Sequence, residues 1–346
     1  MREINVDTVH DSLIKEKPLL AFSKENNYQE WKKKIQDKYM ELLGLDVIAE
    51  NACELPPEIE EVYETDEYIR YRYVFESEHE CFVPCYLMLP KHVKKDKLPV
   101  VICLQGHSSG FHISIGVKKN EGDERWLATS TFALDAVKRG YAALAIEQRG
   151  FGERITPRMD RRPQVALPCY FTSMTALLLG RTLIGERVWD ISKAIDTLSE
   201  LEGISDKLDL NDITALGNSG GGTATYYAAC FDKRIKAAVP CCSICTYKDS
   251  IAEVIHCTCN YIPNIGRYMD MGELAALIAP RKLLICNGEK DPIFLLKGTK
   301  EVYHVIEQIY EEENAKENCK LVIFQEKEHY FDREIVFSNL DEMRKK

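Results

Sequence analysis

No apolar run in this chain approaches the about 20 residues that a bilayer-spanning helix needs; its most apolar short stretch is Ala176-Leu177-Leu178-Leu179. The opening MREINVDTVHDSLIKEK lacks a basic segment leading into an apolar one, so no signal peptide is expected. Blocks of like positive charge are also missing beyond short runs such as Lys32-Lys33-Lys34, which reads as a solvated helix face. With a formal net charge of −10, nothing draws the chain to a polyanion, and no nucleic-acid or membrane partner is expected. Internal repeats and low-complexity tracts are absent. Without a secretion signal, the 13 cysteines read as free thiols in a reducing compartment, and the expected location is the cytoplasm. Many of them, such as Cys103, Cys241, Cys242 and Cys286, sit in apolar runs where cysteine acts as a small hydrophobe. His256-Cys257-Thr258-Cys259 looks like half of a metal site, but no second ligand pair follows, so a structural or pocket-lining role is expected.

What is present is an ordinary globular composition, 45% hydrophobic and 29% charged over 346 residues. Tyr28, Trp31, Ile35, Tyr39 and Leu42 share one face of a helix. That apolar stripe has two candidate partners, the body of the protein or a second copy, so a homo-oligomer stays among the expectations. Tyr68–Phe75 alternates with period two and Phe82–Leu89 follows it, which predicts an antiparallel pair. From Pro99 the pattern becomes strand, turn, helix. The short apolar strands are Val100–Leu104, Ala142–Ile146, Ile213–Leu216, Ala237–Pro240, Leu283–Cys286 and Leu321–Phe324. The clearest intervening helix carries Val188, Ile191, Ile195, Leu198 and Leu201 on one face. Continuous apolar strands separated by helices predict an α/β fold, a mostly parallel eight-stranded sheet covered on both faces. Residues 1–66 read as an N-terminal helical extension. Residues 67–346 read as the main domain, with a lid-like insertion around 153–186.

One strand runs directly into Gly217-Asn218-Ser219-Gly220-Gly221, and a helix-compatible stretch follows. A serine on such a turn projects its hydroxyl above the sheet. The next helix brings its N-terminal amides close to the reacting oxygen. A phosphate-cradling loop would want the lysine and spacing of G-x-x-x-x-G-K-[ST], which are missing. Ser219 is therefore the candidate nucleophile.

In hydrolases with this layout an acid and then a histidine follow from later strand ends. Downstream histidines are His256, His304 and His329. His304 falls inside a helical run, whereas His329 follows the last strand and is the candidate base. Asp291, after the penultimate strand and before Pro292, is the candidate acid, with Glu289 as its local rival. The loop Gln105–Gly110 should supply one oxyanion donor, assigned to the backbone N–H of His107, and Gly220 N–H the other. Arg149, within Glu147–Glu153, is expected to brace its loop by ion pairs rather than to touch substrate.

These residues resemble the acetyl xylan esterase-like or dienelactone hydrolase-like branch of the α/β-hydrolases. GHSSG at 106–110, EQRGFGER at 147–154, RVWDISKAIDTL at 187–198, GNSGGG at 217–222, LAALIAPRKLLICNGEKDPIF at 274–294 and EHYF at 328–331 carry the likeness. It spans residues from about 70 to 335. The resemblance implies a Ser/Asp/His esterase without metal or organic cofactor, its triad falling on Ser219, Asp291 and His329. Gln105 departs from the histidine that many relatives place before this glycine. The cysteine nucleophile of dienelactone hydrolases is absent from position 219. With no export signal in view, the expected substrate is a small ester, a short-acyl or acetyl ester of a sugar-derived alcohol, rather than an intact polysaccharide. A prolyl-oligopeptidase-like peptidase shares the triad order but usually carries a propeller domain in front, for which the N-terminal region is too short. A non-catalytic binding protein on the same fold is the other alternative.

Overall fold

The computed structural model describes residues 4–53, 56–158 and 168–345. Nine strands form one sheet: β1 (Glu58–Glu64), β2 (Tyr68–Glu78), β3 (Cys81–Pro90), β4 (Leu98–Leu104), β5 (Ala142–Ile146), β6 (Leu208–Asn218), β7 (Ile235–Cys241), β8 (Lys282–Gly288) and β9 (Cys319–Phe324). Their order across the sheet is β1-β2-β3-β5-β4-β6-β7-β8-β9. The first three are joined by antiparallel pairing, and β3 pairs antiparallel with β5. From β5 through β4 to β9 every pairing is parallel.

All eight anticipated strands are present, and the sheet has one more. The ninth, β1, lies within the segment expected to be a helical extension. Its sequence, EIEEVYE, hides no face: every residue is exposed. An edge strand covered on neither side shows no alternation to read, and its charges guard an open edge against further pairing. The helical part of the N-terminal region therefore ends before residue 58.

The parallel strands alternate between two cores. Val100, Ile102 and Leu104 of β4 face one apolar cluster. Val101 and Cys103 face the other. The first face is covered by the helices Tyr28–Leu43, Leu183–Thr197, Gly220–Phe231 and Leu296–Glu312, the second by Phe132–Lys138 and Arg333–Lys345. The helix Tyr28–Leu43 starts at Asn27, whose side chain accepts from the Glu30 amide. It buries Trp31, Ile35, Tyr39 and Leu43 in the first core, and the Tyr39 hydroxyl donates to the Tyr227 carbonyl at 2.6 Å. The apolar stripe thus docks on the body of its own chain. Val188, Ile191, Ile195, Leu198 and Leu201 are all buried, but the helix ends at Thr197, so Leu198 caps it and Leu201 packs from the turn beyond. Among the described residues no helix is long and apolar enough to cross a membrane.

Of the 153–186 segment, residues 159–167 lie outside the described residues. The remainder contains a short turn of helix at Gly152–Arg154 and the helix Tyr170–Leu178, and no strand among the described residues.

Candidate active site

β6 delivers Ser219 into a tight turn with φ 55° and ψ −124°, and the helix Gly220–Phe231 begins at the next residue. A positive φ on a residue with a Cβ is strained, and such strain persists only where the surroundings fix it. Close packing on both sides does so here. A Cβ on Gly217 would stand 2.4 Å from the Gly221 carbonyl oxygen, and one on Gly221 only 2.0 Å from that of Leu104. The Ser219 amide donates to Cys241 O at 2.9 Å, tying the turn to β7.

The loops after β8 and β9 bring Asp291 and His329 together. His329 Nδ1 lies 2.8 Å from Asp291 Oδ2. The other carboxylate oxygen accepts from the amides of Ile293 at 2.8 Å and Phe294 at 3.0 Å. Asp291 is only 3% exposed. Burial acts to raise its carboxyl, yet the hydrogen bond and charge of His329 with the two amides outweigh that and hold it below the usual carboxylate range. Glu289, the local rival, instead accepts from the Glu326 amide, away from the histidine. His304 is exposed on the helix Leu296–Glu312 and contacts Gln308.

Ser219, Gly220, His107 and His329 line one cleft of about 330 Å³. Trp126, Ser130, Ile255, His256, Asn260 and Phe294 form much of its wall. Among the described residues no hydrogen bond joins Ser219 to His329; such contacts commonly tighten only once substrate is bound. The Gly220 amide stands at the first position of its helix, where helix geometry leaves N–H groups without an acceptor. The His107 amide donates to no protein acceptor among the described contacts. The insertion contributes no described residue to this cleft; the walls come from 126–130, 255–260 and 293–294.

Two supports of the oxyanion loop carry no mark in the sequence. Glu147, fully buried, accepts from Gln105 Nε2 at 3.0 Å and from the Phe111 amide at 3.2 Å, so it holds both ends of the 105–111 loop. Burial, only partly offset by the Phe111 and Glu153 amides, pushes its carboxyl up to about 7. Asp123 meets the Ser109 hydroxyl and, at 3.0 Å, His112 Nε2. A carboxylate among polar loop residues gives no sequence cue that its partners lie beneath a loop elsewhere.

Arg149 braces, as expected. It contacts Asp190 at 2.8 Å, Glu78 at 2.5 Å and Glu186 at 3.3 Å, and Arg154 and Arg181 share these carboxylates. Buried Arg149, with the partly buried Arg154 and Arg181, thus faces three buried anions.

The 256–259 segment lines the cleft through His256 and Cys257, as expected, but the expectation that it lacks further ligands does not hold. Cys257 and Cys259 do have a second ligand pair, Cys169 and His107, and the donor atoms of the four lie within 4.8 Å of one another. The Cys259 thiol is pushed well down by hydrogen bonds from Cys169 and Cys257, then by the charges of Arg187 and His107. His256 belongs elsewhere: its Nε2 meets Ser250 Oγ at 3.0 Å.

Nine strands in this order, a strained serine between β6 and its helix, and an Asp–His pair beyond β8 and β9 define the architecture. The chain has the α/β-hydrolase fold. The Abhydrolase family profile matches residues 3–166. A Bacillus subtilis (strain 168) protein named "Putative hydrolase YtaP" is 26% identical over 242 residues, 69% of this chain and 75% of that protein. A Bacteroides fragilis NCTC 9343 structure described as a putative acetyl xylan esterase superposes with a TM-score of 0.81 at 16% identity, covering 100% of this chain and 96% of the other. A glucuronoyl esterase from Solibacter usitatus gives 0.65 at 15% identity over 95% of this chain and 97% of its own. The profile match ends before Ser219, so the candidate site rests on the geometry above rather than on that match.

Proposed function

We propose that the protein is a serine esterase that hydrolyses a carboxylic ester through an acyl-enzyme, its substrate a short-acyl or acetyl ester of a small, sugar-derived alcohol. The observation that carries this is His329, 2.8 Å from buried Asp291 and lining the cleft that also holds Ser219 in its strained turn. His329 Nε2 removes the proton from Ser219 as the hydroxyl oxygen attacks the carbonyl carbon. Asp291 holds the imidazole with its proton on Nδ1 and balances the imidazolium that forms. The amides of Gly220 and His107 receive the oxyanion. His329 then gives its proton to the leaving alcohol, and water repeats the sequence on the acyl-enzyme. None of these steps draws on a cofactor.

The substrate class is supported by size and polarity. The cleft lies at the small end of ligand pockets, which run from roughly 300 to 1,000 Å³. Its wall mixes polar residues (Ser108, Ser130, Asn218 and Asn260) with apolar ones such as Trp126 and Phe294, which suits a small polar alcohol. Structural neighbours described as methyl and glucuronoyl esterases support carboxylic ester hydrolysis in general, and those described as acetyl xylan esterases match the acetyl and sugar-alcohol sides proposed. All 13 cysteines are free, which agrees with work in a reducing compartment. The test is a panel of p-nitrophenyl esters from acetate to octanoate, acetylated sugars and peptide anilides. Turnover highest on acetyl esters supports the reading; anilide turnover exceeding ester turnover, or inertness to the whole panel, overturns it.

A further inference from the structure

Beside the catalytic groups, four metal-ligating side chains from three separate stretches of chain converge under the 106–110 loop. His107 comes from the loop after β4, Cys169 from just before the helix Tyr170–Leu178, and Cys257 and Cys259 from the segment between β7 and β8. Cys259 Sγ is 3.4 Å and Cys169 Sγ 4.0 Å from His107 Nε2. A tetrahedral ion with metal–sulfur bonds of about 2.3 Å needs its donors roughly 3.5–3.8 Å apart. The four donor atoms, none more than 4.8 Å from another, are already close to that spacing.

A second observation concerns charge. Arg187 is 1% exposed, with its guanidinium over the Phe151 ring. It donates to the Arg149 carbonyl at 2.8 Å and to Cys169 Sγ at 3.3 Å. Among the described residues it makes no ion pair with a carboxylate. A guanidinium stays protonated, and a buried cation needs a nearby anion. Arg187 therefore favours thiolate over thiol sulfur in the cluster beside it. A divalent ion held by three thiolates and a neutral imidazole carries one net negative charge, which matches Arg187.

We infer that His107 Nε2 and the sulfurs of Cys169, Cys257 and Cys259 form a tetrahedral site for zinc. The ligand set is soft, which disfavours magnesium and calcium, and a three-cysteine, one-histidine set suits zinc. Binding releases the thiol protons to solvent, while His107 ligates as the neutral imidazole with its proton on Nδ1. All four positions are protein atoms, so the ion is structural and leaves no open position for a water nucleophile. Its consequence is positional. The His107 ring lies against Gly220, where an added Cβ would come within 2.8 Å of it. Fixing the ring fixes the neighbouring His107 amide beside that of Gly220. This positional consequence, unlike the metal site, rests on the esterase reading.

The test is metal analysis of protein purified under reducing conditions without chelator, then challenged with zinc and dialysed. One zinc per chain is expected in the wild type, in Cys53→Ser and in Ser219→Ala. A loss of roughly tenfold or more is expected in Cys169→Ser and Cys259→Ser. X-ray absorption on the wild type needs no variant, and should show three sulfurs at about 2.3 Å and one nitrogen at about 2.0 Å. Zinc-free wild type, or a Cys169–Cys257 or Cys169–Cys259 disulfide in the reduced preparation, would overturn the site. So would a shell with one sulfur and mixed nitrogen and oxygen, which would put the ion on Cys242, Asp291 and His329 instead. Esterase activity enters none of these readouts, so the two proposals fail separately.

Discussion

Replacing Asp291 by asparagine keeps the shape of the acid and changes one atom's role. Asp291 accepts three hydrogen bonds, two from the amides of Ile293 and Phe294 and one from His329 Nδ1. The two backbone amides require an oxygen, so the substituted side chain presents its NH2 to His329. Nδ1 must then accept, and the ring proton moves to Nε2, the atom that should take the proton from Ser219. The wrong tautomer in a comparable triad costs about 10⁴-fold in kcat, about 5 kcal/mol of transition-state stabilisation. Because Asp291 is buried and does not line the cleft, KM should change little. The assay is steady-state hydrolysis of p-nitrophenyl acetate, with the rate of fluorophosphonate labelling as a second readout. A kcat within tenfold of wild type would refute the tautomer argument. Stability gives an independent check. The depressed carboxyl favours the fold above the ordinary carboxylate range, and that contribution is lost as pH falls through its native value. The stability difference between wild type and Asp291→Asn should therefore shrink on acidification, as followed by urea denaturation.

Glu147 has the opposite sign: its native carboxyl is raised from 4.5 to about 7, so the fold favours the protonated form. Its contribution is complete below pH 4.5 and lost as pH rises through about 7, so the wild-type melting temperature should drop over that window more than that of Glu147→Gln. Parallel melting curves across the same window would contradict this. Arg149→Ala leaves Glu78, Glu186 and Asp190 with fewer cations in a buried network, and should cost about 3–5 kcal/mol in urea denaturation. A loss below about 1 kcal/mol, the range of exposed pairs, would mean that water already screens these groups.

How much can be read in advance follows from where each signal sits. Strands β2 to β9 announce themselves because each hides at least part of its length, whereas β1 hides nothing and merges into the preceding segment. Ser219, Asp291 and His329 are legible because each follows a strand end, where local order implies position. The sulfur cluster is the reverse case. Cys257 and Cys259 show only half a ligand set in sequence, and the other half comes from Cys169 and His107, residues far away in the chain that only the folded loops bring near. The sequence marks His107 for its amide, while its ring faces the cysteines. Glu147 is silent for the same reason, since its partners include the Phe111 amide in a loop elsewhere, and Asp123 because Ser109 and His112 reach it only through the folded loop.

The most direct measurement of the central claim is intact-protein mass spectrometry after treatment with a fluorophosphonate probe, followed by peptide mapping. The expected result is one adduct per chain on the peptide carrying Ser219, abolished in Ser219→Ala together with at least about 10⁴-fold of the esterase rate. An unlabelled wild type that still hydrolyses esters, or a Ser219→Ala protein with normal turnover, would contradict a Ser219 acyl-enzyme.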